Sequence, residues 1–169
     1  VINRTYNQNT APIAQDDVFT ALEGQTISGN VLADNGHGAD SDADHDALAV
    51  VPAEIVTANG ASVLLLSNGN FIYTPLENFN GADRFDYTLA DGQGGTDTGT
   101  VFLNITAVND GPEAKADSFA VNEDAVLTGN VLADNGAGAD SDLDGDNLTV
   151  VAGSFATLAG GAAVTLYSK

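Results

Sequence analysis

The chain has 169 residues, a net charge of −20 and no cysteine, and all but five of its 24 acidic side chains are Asp. Only Arg4, Arg84, Lys115 and Lys169 oppose that charge, which argues against nucleic acid and anionic membrane surfaces as partners, because both recruit basic patches. Neither a disulfide nor thiolate chemistry is possible, no apolar run is long enough to span a bilayer, and 43% apolar residues is a normal globular content.

In chain order, the first informative segment is "ADSDADHDALAV" at 39–50, with Asp40, Asp42, Asp44 and Asp46 at alternate positions. "SVLLLS" (62–67) and "NFIYTP" (70–75) are short apolar runs separated by the turn "SNGN". "RFDYTLADG" alternates Phe85, Tyr87 and Leu89 with polar residues, and "TVFLNITAV" places Val101, Leu103 and Ile105 on one face. "ADGQGG" stands between these two at hairpin spacing. No segment carries a 3.6-residue period. The pattern of about seven short strands predicts an all-β fold, a β-sandwich. Tyr73 and Tyr87 fall at core positions of it.

A shift of the chain by 100 positions superimposes "SGNVLADNGHGADSDADHDALAVV" (28–51) on "TGNVLADNGAGADSDLDGDNLTVV" (128–151) without a gap. The organisation that follows is the end of a preceding repeat or linker at 1–10, a first repeat at 11–110 and a second, truncated repeat at 111–169. The second copy lacks counterparts of "FIYTP", "RFDYTL" and "TVFLNIT". Together with the absence of a leader and of an initiator Met, this points to a cut from a longer protein. The alternative is strands supplied by another chain, as in a strand-exchanging fibre.

The second copy keeps all four aspartates, as Asp140, Asp142, Asp144 and Asp146, while residues between them change. Two like charges about 4 Å apart repel by about 1 kcal/mol in water and about 4 kcal/mol at an effective dielectric near 20. A divalent cation reverses that sign, and calcium takes six to eight oxygen ligands of this kind. The helix–loop–helix calcium loop does not fit, because its twelfth position would be Val151 and strands flank the segment. The Gly-rich nonapeptide roll fails too, since "GQGGTDTGT" has the wrong order and no tandem copies. Magnesium suits the loop less well, as it demands a stricter octahedron. His37 and His45 align with Ala137 and Gly145 and read as exposed loop residues. The junction "AVNDGPEAKADSFAVNED" (107–124) adds further oxygens beside Pro112.

"NVLADNG…DSDLDGDNLTVV" and the run through Tyr73, Pro75, Phe79, Gly81, Asp83, Phe85 and Tyr87 resemble bacterial cadherin-like repeats of the VCBS type. The resemblance implies tandem Greek-key, cadherin- or Ig-like β-sandwiches, the second incomplete in this chain, with calcium binding and an extracellular role as spacer or adhesive module of a secreted bacterial surface protein. It implies as metal ligands Asp40, Asp42, Asp44, Asp46, Asp140, Asp142, Asp144 and Asp146, with Asp17, Glu23, Asn109, Asp110, Asp117 and Glu123. One or two ions per repeat are expected, because "AVNDG" is shorter than a full Asp-x-Asn-Asp-Asn linker and "DRF" lacks the acid of Asp-Arg-Glu.

The expected partners are calcium, neighbouring repeats, and surface glycans or a cell-surface protein. A carbohydrate-binding module is the competing reading, weakened by the absence of Trp. No nucleophile elbow or Ser–His–Asp arrangement supports an enzyme.

Overall fold

A computed structural model describes residues 8–156 and 163–167. The chain forms two compact units, Val1–Val108 and Asn109–Lys169. In the first, one sheet has the order β1-β8-β7-β3, built from Asp17–Leu22, Thr96–Thr106, Gly81–Ala90 and Ala49–Val50. The other has the order β2-β6-β5-β4, built from Ile27–Asn30, Asn70–Thr74, Ser62–Leu65 and Ala53–Val56. Pairing is antiparallel except for β1, which runs parallel to β8 with Asp17 opposite Val101. No helix occurs among the described residues. The fold is an all-β, Ig-like sandwich; the alternation predicts the β-sandwich and the resemblance its Ig-like form.

The two-residue period decides which side chains meet between the sheets. Val63, Leu65, Phe71 and Tyr73 from one sheet pack with Phe85, Tyr87, Leu89, Val101, Leu103 and Ile105 from the other. The intervening Leu64, Ile72 and Phe102 remain exposed. Phe71 sits edge-on to both Phe19 and Phe85, at centroid distances of 5.0 and 5.3 Å. Such contacts add specificity to simple area burial. Gly29 belongs to this packing, because a Cβ there would lie 2.6 Å from the Phe19 ring.

Two carboxylates are built into this interior. Asp83 accepts from the Thr57 hydroxyl at 2.6 Å, the Tyr73 hydroxyl at 2.9 Å and the Arg84 amide at 2.8 Å. It is therefore a satisfied polar hub, and the one that holds Tyr73. Asp17, only 1% exposed, accepts from Asn35 Nδ2 at 2.8 Å with Oδ1, but its Oδ2 has no partner. The Asn35 side chain also donates to the Asn30 and Ala33 carbonyls, and its backbone carbonyl accepts from the Val18 amide. Asn35 thus binds the connection after β2 to the start of β1. The same contacts recur through Asn135, Asp117, Asn130, Ala133 and Ser118.

In the second unit Gly153–Ala156 (β9) and Ala163–Leu166 (β10) pair antiparallel. Residues 117–122 and 127–130, which the offset of 100 aligns with β1 and β2, are not strands. β1 and β2 exist through pairing with β8 and β6, and the described residues of the second unit present no such neighbours. Thr157 and Gly160, which the offset of 100 aligns with Thr57 and Gly60, lie outside the described residues.

Burial pushes the Asp17 carboxyl up from its ordinary 3.8 to about 6; Asn35 opposes this and Asp40 and Asp16 add to it. The folded state thus binds this proton more tightly than the unfolded chain. The stabilisation from that tighter binding is complete below about pH 4 and is lost as pH rises through about 6. Asp17→Asn keeps the acceptor for Asn35 and removes the charge. In chelator, the wild type should lose on the order of 1–3 kcal/mol more than the variant between pH 4 and 7. Parallel denaturation curves of both proteins would refute the assignment.

Candidate metal site

The connection from β2 to β3, residues 31–48, carries the aspartate series. It is laid against the entering segment, residues 10–15, by an alternating ladder. The Gln15 amide donates to Asp40 Oδ1 at 2.7 Å, Ile13 and Ser41 exchange backbone hydrogen bonds, and the Thr10 amide donates to Asp44 Oδ2 at 2.7 Å. The second unit repeats it: the Lys115 amide on Asp140, Glu113 with Ser141, and the Asp110 amide on Asp144. Aspartate is suited to this work, since its short carboxylate reaches nearby amides that would otherwise lack acceptors.

Asp42, Asp44 and Asp46 come together with a carboxylate oxygen of each within 4.8 Å of the others. Oxygens about 2.4 Å from one calcium ion lie at most about 4.8 Å apart, so the trio fits a single ion. Asp42 shapes the loop with Oδ1, which accepts from the Asp44 amide at 2.8 Å and the Asp46 amide at 3.2 Å. Its other oxygen, Oδ2, is buried without a hydrogen-bond partner, on a side chain only 9% exposed. An orphaned anionic oxygen beside two further carboxylates suits a hard cation and not a proton donor of the protein. The Asp46 carboxyl is held above its ordinary value, first by desolvation and then by Asp42, Asp44 and Asp91.

The structure divides the expected ligands into separate groups. Asp40 is turned from the trio toward the Tyr87 hydroxyl, at 3.0 and 3.1 Å, and burial raises its carboxyl. Asp17 lies with Asn35 as described. Glu23 accepts from the Val108 amide at 3.3 Å and Asn80 at 3.4 Å, at the end of the first unit. Asn109 donates to the Asp110 carbonyl, Asp117 accepts from Asn135, and Glu123 is exposed in the turn before Asp124.

Asp142 caps the amides of Asp144 and Asp146 at 3.0 and 3.2 Å as Asp42 does in the first loop. Among the described residues, however, only the first loop gathers three carboxylates so closely. The second loop opens on a cleft of about 290 Å³ lined by Asn109, Asp110, Asp140, Asp142 and Asp146. In the first unit the β7–β8 hairpin approaches the corresponding segment with Asp91 and Asp97. The Ala14 amide donates to Asp97 Oδ2 at 2.9 Å, and Asn9 Nδ2 donates to Asp91 Oδ2 at 2.7 Å. Sequence reading missed both aspartates. "ADGQGG" looks like turn punctuation, and its aligned copy would fall beyond residue 169, so the internal repeat could not single it out. His45, at φ 62°, occupies the left-handed turn position that Gly145 fills in the second loop, and it is exposed.

Residues 9–104 match the bacterial Ig domain family. The chain is 33% identical to the calcium-binding lectin RapA2 of Rhizobium johnstonii, over 79% of this chain and 61% of that protein. It is 32% identical to Protein GAMETE EXPRESSED 2 of Arabidopsis thaliana, over 59% of this chain and 10% of that protein. The chain thus spans less than two thirds of either relative. A nucleoside hydrolase-related hypothetical protein from Saccharophagus degradans aligns over 58% of this chain and 26% of its own, at 18% identity and a TM-score of 0.45. With its family match covering more than half of its length, this chain belongs to the bacterial Ig domain family.

Proposed function

We propose that this chain is a calcium-binding structural and adhesive module of an extracellular bacterial surface protein, made of two cadherin-like repeats of the VCBS type bounded near 11–110 and 111–169. The observation that carries the calcium reading is the orphaned Asp42 Oδ2 within the Asp42–Asp44–Asp46 trio. Asp42, Asp44 and Asp46 hold the ion, and the loop's own amides fix their directions. Bound calcium supplies positive charge that turns like-charge repulsion in the loop into attraction. Asp44 shares its carboxylate with the Thr10 amide, so ordering this side chain also orders the chain entering the sandwich. Asp144 and the Asp110 amide repeat that connection. The result is a module that resists unfolding and proteolysis when calcium is present. Among the described residues no helix is long and apolar enough to cross a membrane.

Glycan recognition is the second reading, favoured by the similarity to a calcium-binding lectin. No Trp is available as a sugar platform, and Tyr73 and Tyr87 are buried. A glycan would therefore have to be read by polar loop groups. Asp44 and Asp46, half-buried at the mouth of the loop, are the groups on which such contact would depend.

Calcium at about 100 times its dissociation constant should stabilise the fold by about 2.7 kcal/mol, a rise of several degrees in Tm. Asp42→Asn combined with Asp44→Asn should reduce this rise, whereas magnesium should produce little of it in the wild type. An equal calcium response in wild type and double variant would remove the loop as the site. Polysaccharide binding, measured with calcium and with chelator, tests the second reading. Retention in calcium that is lost in chelator and in the double variant supports it, and no retention in either condition refutes it.

A further inference from the structure

The feature that the calcium reading leaves unused is Asp91, a carboxylate only 2% exposed in the turn between β7 and β8. Its Oδ1 accepts from the Gln93 amide at 2.7 Å and the Gly95 amide at 2.9 Å. These bonds make the turn, and they would account for an aspartate here even if it did nothing else. The opposite oxygen has a different task. Oδ2 accepts from the side chain of Asn9 at 2.7 Å, across 82 residues of sequence. Asn9 is exposed, so its amide group is not in this place because the core excludes water from it. The residue after Asn9 is Thr10, whose backbone amide donates to Asp44 in the candidate metal site.

Consecutive residues of one segment therefore grip two carboxylates, one in the hairpin and one in the loop. Gly95 permits the close approach. A Cβ at this position would lie 2.2 Å from Asp91 Oδ2 and 2.8 Å from Ala11 Cα, so the hairpin can meet the segment only as a bare backbone. In the second unit Asn109, the aligned residue, donates instead to the carbonyl of its neighbour Asp110, and the aspartate loop there does not gather three carboxylates. The two loops share their internal hydrogen bonds. They differ in what holds the entering segment.

We propose that Asp91 is a positioning residue for the calcium site of the first unit: through Asn9 it fixes the segment whose Thr10 amide orients Asp44. This deepens the calcium reading and rests on it. Asp91 lies outside the trio and acts on the ion through the segment it anchors. Its anionic form is the one that the Asn9, Gln93, Gly95 and Gly94 hydrogen bonds favour. Outer partners that orient metal ligands commonly change affinity by roughly 10- to 100-fold when removed.

The test is a calcium titration of the whole chain followed by NMR at the Asp44 and Asp144 amides, with amide exchange of Thr10 measured in chelator. Asn9→Ala is the main variant, since it cuts the tie at an exposed residue and leaves the hairpin turn intact; Asp91→Asn is the second. Both should weaken calcium binding at the first loop by roughly tenfold while the second loop titrates as before. Thr10 exchange should accelerate in Asn9→Ala even without calcium. If the first loop of Asn9→Ala binds calcium as the wild type does, Asp91 serves its own turn alone and the proposal is overturned. A wild type in which neither loop responds to calcium would instead sink the calcium reading, and this proposal with it.

Discussion

Aspartate side chains capping backbone amides across the entrance to the sandwich are the interaction on which the rest of the site depends. Each carboxylate that accepts an amide of residues 10–15 gains a hydrogen bond and in exchange is fixed near its neighbours. The geometry that satisfies the backbone is the same geometry that concentrates negative charge. In neutral loops, amide caps stabilise a turn at little cost. Here the spacing along the loop brings three carboxylates within reach of one another, so the local gain carries an electrostatic cost that a bound cation would offset.

The sandwich frames that arrangement. β1 is the edge strand of the first sheet, alongside β8, and its first residue, Asp17, is already in the interior. The Asn35 side chain fastens the connection after β2 to this point, and Tyr87 reaches out of the core to Asp40 and the Gln15 carbonyl. The aspartate loop is thereby anchored ahead of the trio, at Asn35 and Asp40, by groups whose positions the core packing determines. A long connection would otherwise be free to splay its charges. Burial also explains the division of labour among neighbouring aspartates: Asp40 is committed to the frame, and Asp42 keeps one oxygen without a partner.

The comparison within the chain shows how far a loop sequence specifies its own structure. Both loops form the Asx turns on Asp42 and Asp142, and both cap the segment entering them. Those features are local, or join segments 34 residues apart within the same unit. Convergence of three carboxylates is found only in the first loop among the described residues, where the β7–β8 hairpin brings Asp91 and Asp97 against the entering segment.

What the sequence determined by itself was whatever depends on neighbours and period. Phe85, Tyr87 and Leu89 alternate with polar residues, and that alternation is sufficient to place them in the core. The four aspartates recur at an offset of 100, and their recurrence alone identified the loop. It could not say how each would be partnered, because alternate spacing treats Asp40 and Asp42 alike. Tertiary structure separates them: Tyr87, 47 residues away, donates to Asp40, and Asp42 Oδ2 is buried without a hydrogen-bond partner. Asp91 was invisible for the same reason, since a turn aspartate looks identical whether or not its second oxygen meets a residue 82 positions earlier. The contacts that decide the site form only when the sheets close and bring the β7–β8 turn against the segment leading into β1.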